Sequence, residues 1–136
     1  MKYLFPLILL AITLVQSTAL KAQDNPKFAA DSEIFLFDLS IDGGLYSATN
    51  PRNISKNDDY DSQPYFLPSN NALLFASSRD GKQTDIYQYD INTDKLTQLT
   101  HSPHSEFSPK PVGSKGRISY VSEGNNPYQS IWQLDL

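Results

Sequence analysis

Residues 62 to 81 read SQPYFLPSNNALLFASSRDG: a polar stretch holding two prolines, an unbroken apolar run, and an Arg-Asp-Gly close. On its own this is any hairpin. Laid on itself, the chain repeats it. Pro64 to Ser77, PYFLPSNNALLFAS, lies over Pro109 to Ser122, PKPVGSKGRISYVS, at an offset of 45. The same offset carries Asn53-Ile54-Ser55 onto Gln98-Leu99-Thr100, and residues 85 to 91 (DIYQYDI) onto residues 130 to 136 (SIWQLDL). A third copy of that last element, EIFLFDL at 33 to 39, stands 52 residues before the middle one. The polar stretch from Ile41 to Asn50 accounts for the extra seven residues.

A period of about 40–45 residues with four short β segments per unit is the signature of propeller blades. The segments have strand character. Ala72 to Ser77 is an apolar run bounded by turn residues, and Asp85 to Ile91 alternates with Ile86, Tyr87, Tyr89 and Ile91. Arg79-Asp80-Gly81 and Asn92-Thr93-Asp94 suit tight hairpins, because Gly, Asn and Asp tolerate positive φ. No stretch after residue 30 keeps a 3.6-residue apolar period, so the expected class is all-β. With strands named a to d from the inside outward, residues 33–56 hold c and d of one blade, at Glu33 to Leu39 and Asn53 to Lys56. Residues 60–100 make one full blade of four antiparallel strands, and residues 105–136 supply a to c of the next. About two blades cannot close a ring. The expectation is therefore an N-terminal piece of a longer protein, with assembly between chains as the alternative.

Upstream, Met1-Lys2-Tyr3 leads into the apolar segment Leu4 to Val15 and then to small residues at Ser17, Ala19 and Ala22. That is the outline of a secretory signal peptide over residues 1–22, cleaved after Ala19 or Ala22, with 23–32 as linker. The apolar run is too short for a transmembrane helix of about 20 residues. A buried helix there is disfavoured, since nothing else is patterned to pack on it. Removing residues 1–22 takes Lys2 and Lys21 and no acid. Eleven basic residues become 9 against 15 acidic ones, so net charge moves from −4 to −6. Nucleic-acid partners need a basic footprint and are disfavoured. The chain has no cysteine, which excludes disulfides, thiolate metal sites, a thiol nucleophile and lipid attachment at cysteine. A periplasmic or secreted protein without membrane insertion is expected.

The succession Pro64, Phe66, Pro68, Leu73 to Ser78, Arg79-Asp80-Gly81, Ile86-Tyr87, Asp90-Ile91 and Leu99-Thr100 resembles the TolB-like (WD40-like) β-propeller repeat. The likeness covers residues 33 to 136 and is strongest from 59 to 100. The family's Ser-Pro-Asp-Gly turn is replaced by Leu67-Pro68-Ser69-Asn70 and by Val112-Gly113-Ser114-Lys115, which marks a divergent sequence. The resemblance implies a six-bladed propeller in periplasmic or secreted proteins. Such propellers serve as a protein-binding platform or as a gating domain beside a hydrolase.

The residues themselves carry little chemistry. Asn57-Asp58-Asp59-Tyr60-Asp61 offers oxygen ligands but lacks the spacing of a calcium loop, so an acidic d-to-a connection is the better reading. His101 and His104, the two histidines, have only Glu106 near in sequence to complete a zinc site; an exposed polar loop is the better reading there too. Asp58, Asp59, Asp61, His101, His104 and Glu106 are accordingly candidates for a partner-binding rim, with no metal and no cofactor expected. Asp38, Asp90 and Asp135 recur at one place in the c strand, where a carboxylate can accept backbone bonds from the following turn. The tyrosines and Trp132 read as core or blade packing, and the glycosylation tripeptide Asn53-Ile54-Ser55 is assigned no role. No Gly-x-Ser-x-Gly elbow, phosphate-cradling loop or His-Glu-x-x-His motif is present, and the paired carboxylates make no specific glycosidase case. A non-catalytic scaffold binding another periplasmic or cell-envelope protein, or a ligand, is therefore expected. The alternative is an accessory propeller of a prolyl oligopeptidase-like or tricorn-like hydrolase whose catalytic part lies beyond residue 136.

Overall fold

The computed structural model describes residues 31–113, 116–124 and 128–136; the expected signal peptide and most of the expected linker lie outside them. Every described element is a strand: β1 (Phe35–Asp42), β2 (Leu45–Asn53), β3 (Asp61–Phe66), β4 (Ala72–Ser77), β5 (Asp85–Asp90), β6 (Lys95–Gln98), β7 (Glu106–Pro111), β8 (Arg117–Ser122) and β9 (Ser130–Asp135). They form three antiparallel sheets in the orders β1-β2, β3-β4-β5-β6 and β7-β8-β9.

The 45-residue repeat is reproduced bond by bond. The Leu67 N–H donates to the Ala72 carbonyl (2.9 Å) and Val112 to Arg117 (2.7 Å); Ile91 donates to Asn71 (2.9 Å) and Leu136 to Gly116 (2.6 Å). The register slips between Ser62 and Tyr65 in β3, and between Phe107 and Lys110 in β7. Each slip is a bulge whose extra residue takes the left-handed conformation, Gln63 at φ 58° and Ser108 at φ 55°. The Ser108 N–H freed by its bulge is taken by Oε1 of Gln63 at 2.6 Å, so equivalent positions of successive sheets are tied together.

The middle sheet lies between the other two. On one side Leu73, Phe75, Tyr87 and Tyr89 pack with Ile34 and Ile54; on the other, Leu74, Ala76 and Ile86 pack with Ile118. Both faces of β4 are therefore dry, which is why residues 72 to 76 are all apolar where a half-wet strand would alternate. Each buried side chain of this size contributes about 1.5–3 kcal/mol of transfer free energy. The junctions repeat as well. Asp61 N–H donates to the Ser32 carbonyl (3.0 Å) and Glu106 N–H to the Thr84 carbonyl (2.7 Å). A hydroxyl closes each outer loop, Ser55 Oγ accepting from Ile34 N–H (2.9 Å) and Thr100 Oγ1 from Ile86 N–H (2.8 Å).

The first sheet departs from expectation. Residues 41 to 50 are not a polar insert: β1 runs on to Asp42, turns at Gly43-Gly44 with φ of 53° and 82°, and returns as β2. Positive φ at both central residues is the hairpin turn that Gly-Gly favours. The expected outer strand at 53 to 56 begins where β2 ends, and Ile54 adds one further bond, its N–H to the Ile34 carbonyl at 2.9 Å. Phe35, Phe37, Leu39 and Ile41 alternate along β1 and are all at least half exposed or nearly so, Leu39 at 67%. At the far end Ile131 is 80% exposed.

Candidate functional site

Charge gathers where one sheet meets the next, at the start of each first strand. In the first junction Asp61, which opens β3, is buried, with its N–H bonded to the carbonyl and its carbonyl to the hydroxyl of Ser32, just before β1. Arg79 reaches back to it. Its Nη2 donates to Asp61 Oδ1 and to the Ser55 carbonyl, both at 3.3 Å, and its Nε donates to Ser77 Oγ at 3.0 Å. The guanidinium carbon lies 4.6 Å from the Tyr87 ring centre and 5.8 Å from that of Phe75, within cation–π range. Burial pushes the Asp61 carboxyl up; the bonds from Ser77 and Asn57 and the charge of Arg79 oppose this without reversing it. Nearby, burial raises Glu33, but hydrogen bonds from Ser55, Asn53 and the N–H groups of Asn57 and Lys56 outweigh it and hold this carboxyl below its ordinary value.

In the second junction the two carboxylates are Asp85, opening β5, and Glu106, opening β7, 1% and 2% exposed. Asp85 Oδ1 and Glu106 Oε2 are buried without a hydrogen-bond partner among the described residues. Burial first, then the charges of Glu106 and Asp80, push Asp85 up to about 6. Glu106 lines a cleft of about 310 Å³ with Ser102, His104, Tyr120, Ser122 and Trp132. Asp85 lines a wider cleft on the other side of Ser102 with Asp80, Lys82, Gln83 and His101.

The six rim candidates thus separate by depth. Asp58 and His101 are exposed and Asp59 and His104 half-buried, whereas Asp61 and Glu106 are buried at strand starts and present no exposed carboxylate. No group of three or more His, Cys, Asp or Glu positioned to hold a metal ion occurs among the described residues. Arg79-Asp80-Gly81 forms the expected turn: Gly81 N–H donates to the Ser78 carbonyl (2.7 Å) across Arg79 and Asp80, Gly81 takes φ 71°, and Asp80 Oδ1 accepts from Lys82 N–H (3.2 Å). From within the turn the Arg79 side chain reaches into the junction, a role that sequence reasoning missed. Of the three recurrent aspartates only Asp90 binds its following turn, accepting from the N–H groups of Asn92 (3.0 Å) and Thr93 (2.9 Å). Asp38 instead pairs with Arg52, because its hairpin is longer, and Asp135 pairs with Arg117. Tyr87 and Tyr89 lie in the core, while Trp132 is 56% exposed beside the Glu106 cleft.

No family model and no curated protein matches the sequence. Among solved structures, the chain is similar to one described as "putative TolB from Agrobacterium tumefaciens", with a TM-score of 0.57 and 14% identity over 80% of this chain. The match covers 47% of that structure, so the chain spans about half its length. Three antiparallel sheets in sequence order, without helices among the described residues and without closure, are part of a TolB-like β-propeller fold.

Proposed function

We propose that the chain is an exported, non-catalytic propeller module that binds another protein of the periplasm or cell envelope. The observation that carries this reading is the fold itself: a TolB-like propeller whose elements recur from sheet to sheet, with the expected binding loops following the outer strands. A recurring residue maintains each blade, whereas a catalytic residue is needed once. Export is supported by the signal-like residues 1–22, and the acidic balance fits a protein partner better than a nucleic acid.

Asp58, exposed, and Asp59, half-buried, give the test. In a cross-linking experiment with envelope extract, the double variant Asp58→Lys/Asp59→Lys loses a partner that the parent chain captures, with unchanged circular dichroism. Equal capture by the variant removes the rim from the reading; turnover of ester or peptide substrates by the purified chain removes the non-catalytic assignment. The hydrolase alternative predicts a Gly-x-Ser-x-Gly segment in the coding sequence after Leu136, whereas further blades and a stop support the binding module.

A further inference from the structure

The two junctions are copies of one another with one residue changed. Shifted by 45, the residues around the Arg79 guanidinium, namely Asp61, Phe75, Ser77 and Tyr87, become Glu106, Tyr120, Ser122 and Trp132, four of the six residues lining the 310 Å³ cleft. The carboxylate, the hydroxyl and the two aromatic rings are all retained. Arg79 itself becomes Gly124. Residues 123 to 129, EGNNPYQ, carry no lysine or arginine, and Gly124, at φ 53°, has no side chain to place in the cleft. The second carboxylate is retained too, Glu33 of the first junction corresponding to Asp85 of the second. The first junction therefore sets its buried carboxylate against a guanidinium, and the second holds two buried carboxylates with no guanidinium from its own segment. Lys82 lies on the Asp85 side, exposed, in the other cleft.

Buried side-chain oxygens without partners are rare, because each forfeits its hydration. Here two such oxygens occur together, one of them lining the cleft that copies a guanidinium socket. We infer that the cleft between Glu106, Tyr120 and Trp132 is a receptor site for an arginine side chain of a protein partner, seated as Arg79 is seated in the first junction. The guanidinium would lie over the two rings and donate to the Glu106 carboxylate and Ser122 Oγ, satisfying the oxygen that the chain leaves bare. Lysine fits less well, since a point charge neither forks to two acceptors nor stacks on a ring. The raised Asp85 carboxyl is a second sign of negative charge in excess at this junction.

This inference rests on the binding-module reading only for the origin of the arginine; the socket is tested without a partner. Trp132 is the single tryptophan and lines the cleft, so its emission reports occupancy directly. The full chain is titrated with N-acetyl-arginine amide, with its neutral isostere N-acetyl-citrulline amide, with N-acetyl-lysine amide and with calcium chloride, at constant ionic strength and pH 7.5. The expected result is saturable binding of the arginine amide, at least tenfold tighter than citrulline and several-fold tighter than lysine, and weakened at least tenfold by Glu106→Gln. Arginine and citrulline that cannot be distinguished overturn the inference with no variant needed. Calcium binding without arginine binding overturns it in favour of a metal site. Arginine binding without any envelope partner leaves the socket standing and removes the scaffold reading; a partner that binds Glu106→Gln undiminished does the reverse.

Discussion

Replacing Asp85 by asparagine should stabilise the protein at neutral pH and leave it unchanged in acid. Asp85 is 1% exposed and titrates at about 6, against about 3.9 for an aspartate in an unfolded chain. A difference of about two units, at about 1.4 kcal/mol each, is a cost of about 3 kcal/mol for holding this group ionised in the folded state. Between pH 4 and 6 the folded chain keeps a proton that the unfolded chain has lost. The unfolded state thus binds fewer protons, and stability falls as pH rises through that window. Asparagine has nearly the same shape, cannot ionise, and keeps an oxygen for the weak bond from Gln83 Nε2, at 3.5 Å. Urea unfolding followed by far-ultraviolet circular dichroism at pH 4.0 and 7.5, on parent and Asp85→Asn, reads Asp85 with its charged neighbours Glu106 and Asp80, because more distant titrating groups cancel in the difference. The variant should gain about 2–3 kcal/mol at pH 7.5 and less than about 1 kcal/mol at pH 4.0. A variant that is no more stable at pH 7.5, or whose gain is the same at both pH values, refutes the account of a charge trapped by burial.

Three further outcomes follow from the packing. Arg79→Met strands the buried Asp61 carboxylate and should cost about 3–5 kcal/mol by urea unfolding, and adding Asp61→Asn should recover a large part of it. Thr100→Val removes the hydroxyl that accepts the buried Ile86 N–H and should cost about 1–3 kcal/mol; Thr100→Ser, which keeps the acceptor, should cost less than half as much. The parent should show concentration-dependent species in sedimentation velocity, and Phe37→Asp together with Ile131→Asp, which places a charge on each exposed apolar face, should lower them. An unchanged distribution would show that these faces are not what brings copies together.

The strand content was readable from residue 31 onward because its causes are local and repeated. Residues 72 to 76 are apolar without alternation because both faces of β4 are covered, and the hairpin at Asp94, with φ 55°, uses a residue that tolerates that conformation. The β1–β2 hairpin is not legible for an equally local reason: residues 45 to 53, LYSATNPRN, have the composition of a loop, which masks the Gly43-Gly44 turn before them. The depth of Asp61 and Glu106 was not readable. It depends on contacts with Ser32 and Thr84, residues distant in sequence, and aspartate at a loop end has the same sequence context whether it is wet or dry. Arg79 was hidden by the good turn chemistry of its two neighbours. The signal that finds it is the mismatch between copies, an arginine in one and a glycine in the other at positions otherwise alike.

The backbone links that recur at both junctions point one way. At each junction the later sheet's first strand donates its N–H to a carbonyl of the sheet before, Asp61 to Ser32 and Glu106 to Thr84. A stack built in this manner has a head and a tail that differ chemically. Two heads, or two tails, cannot exchange the same bonds, so two-fold pairing through either open face forgoes them. Copies that meet through these faces are steered into heterologous, head-to-tail contact, which ends in a ring where the rotation closes and in an open filament where it does not.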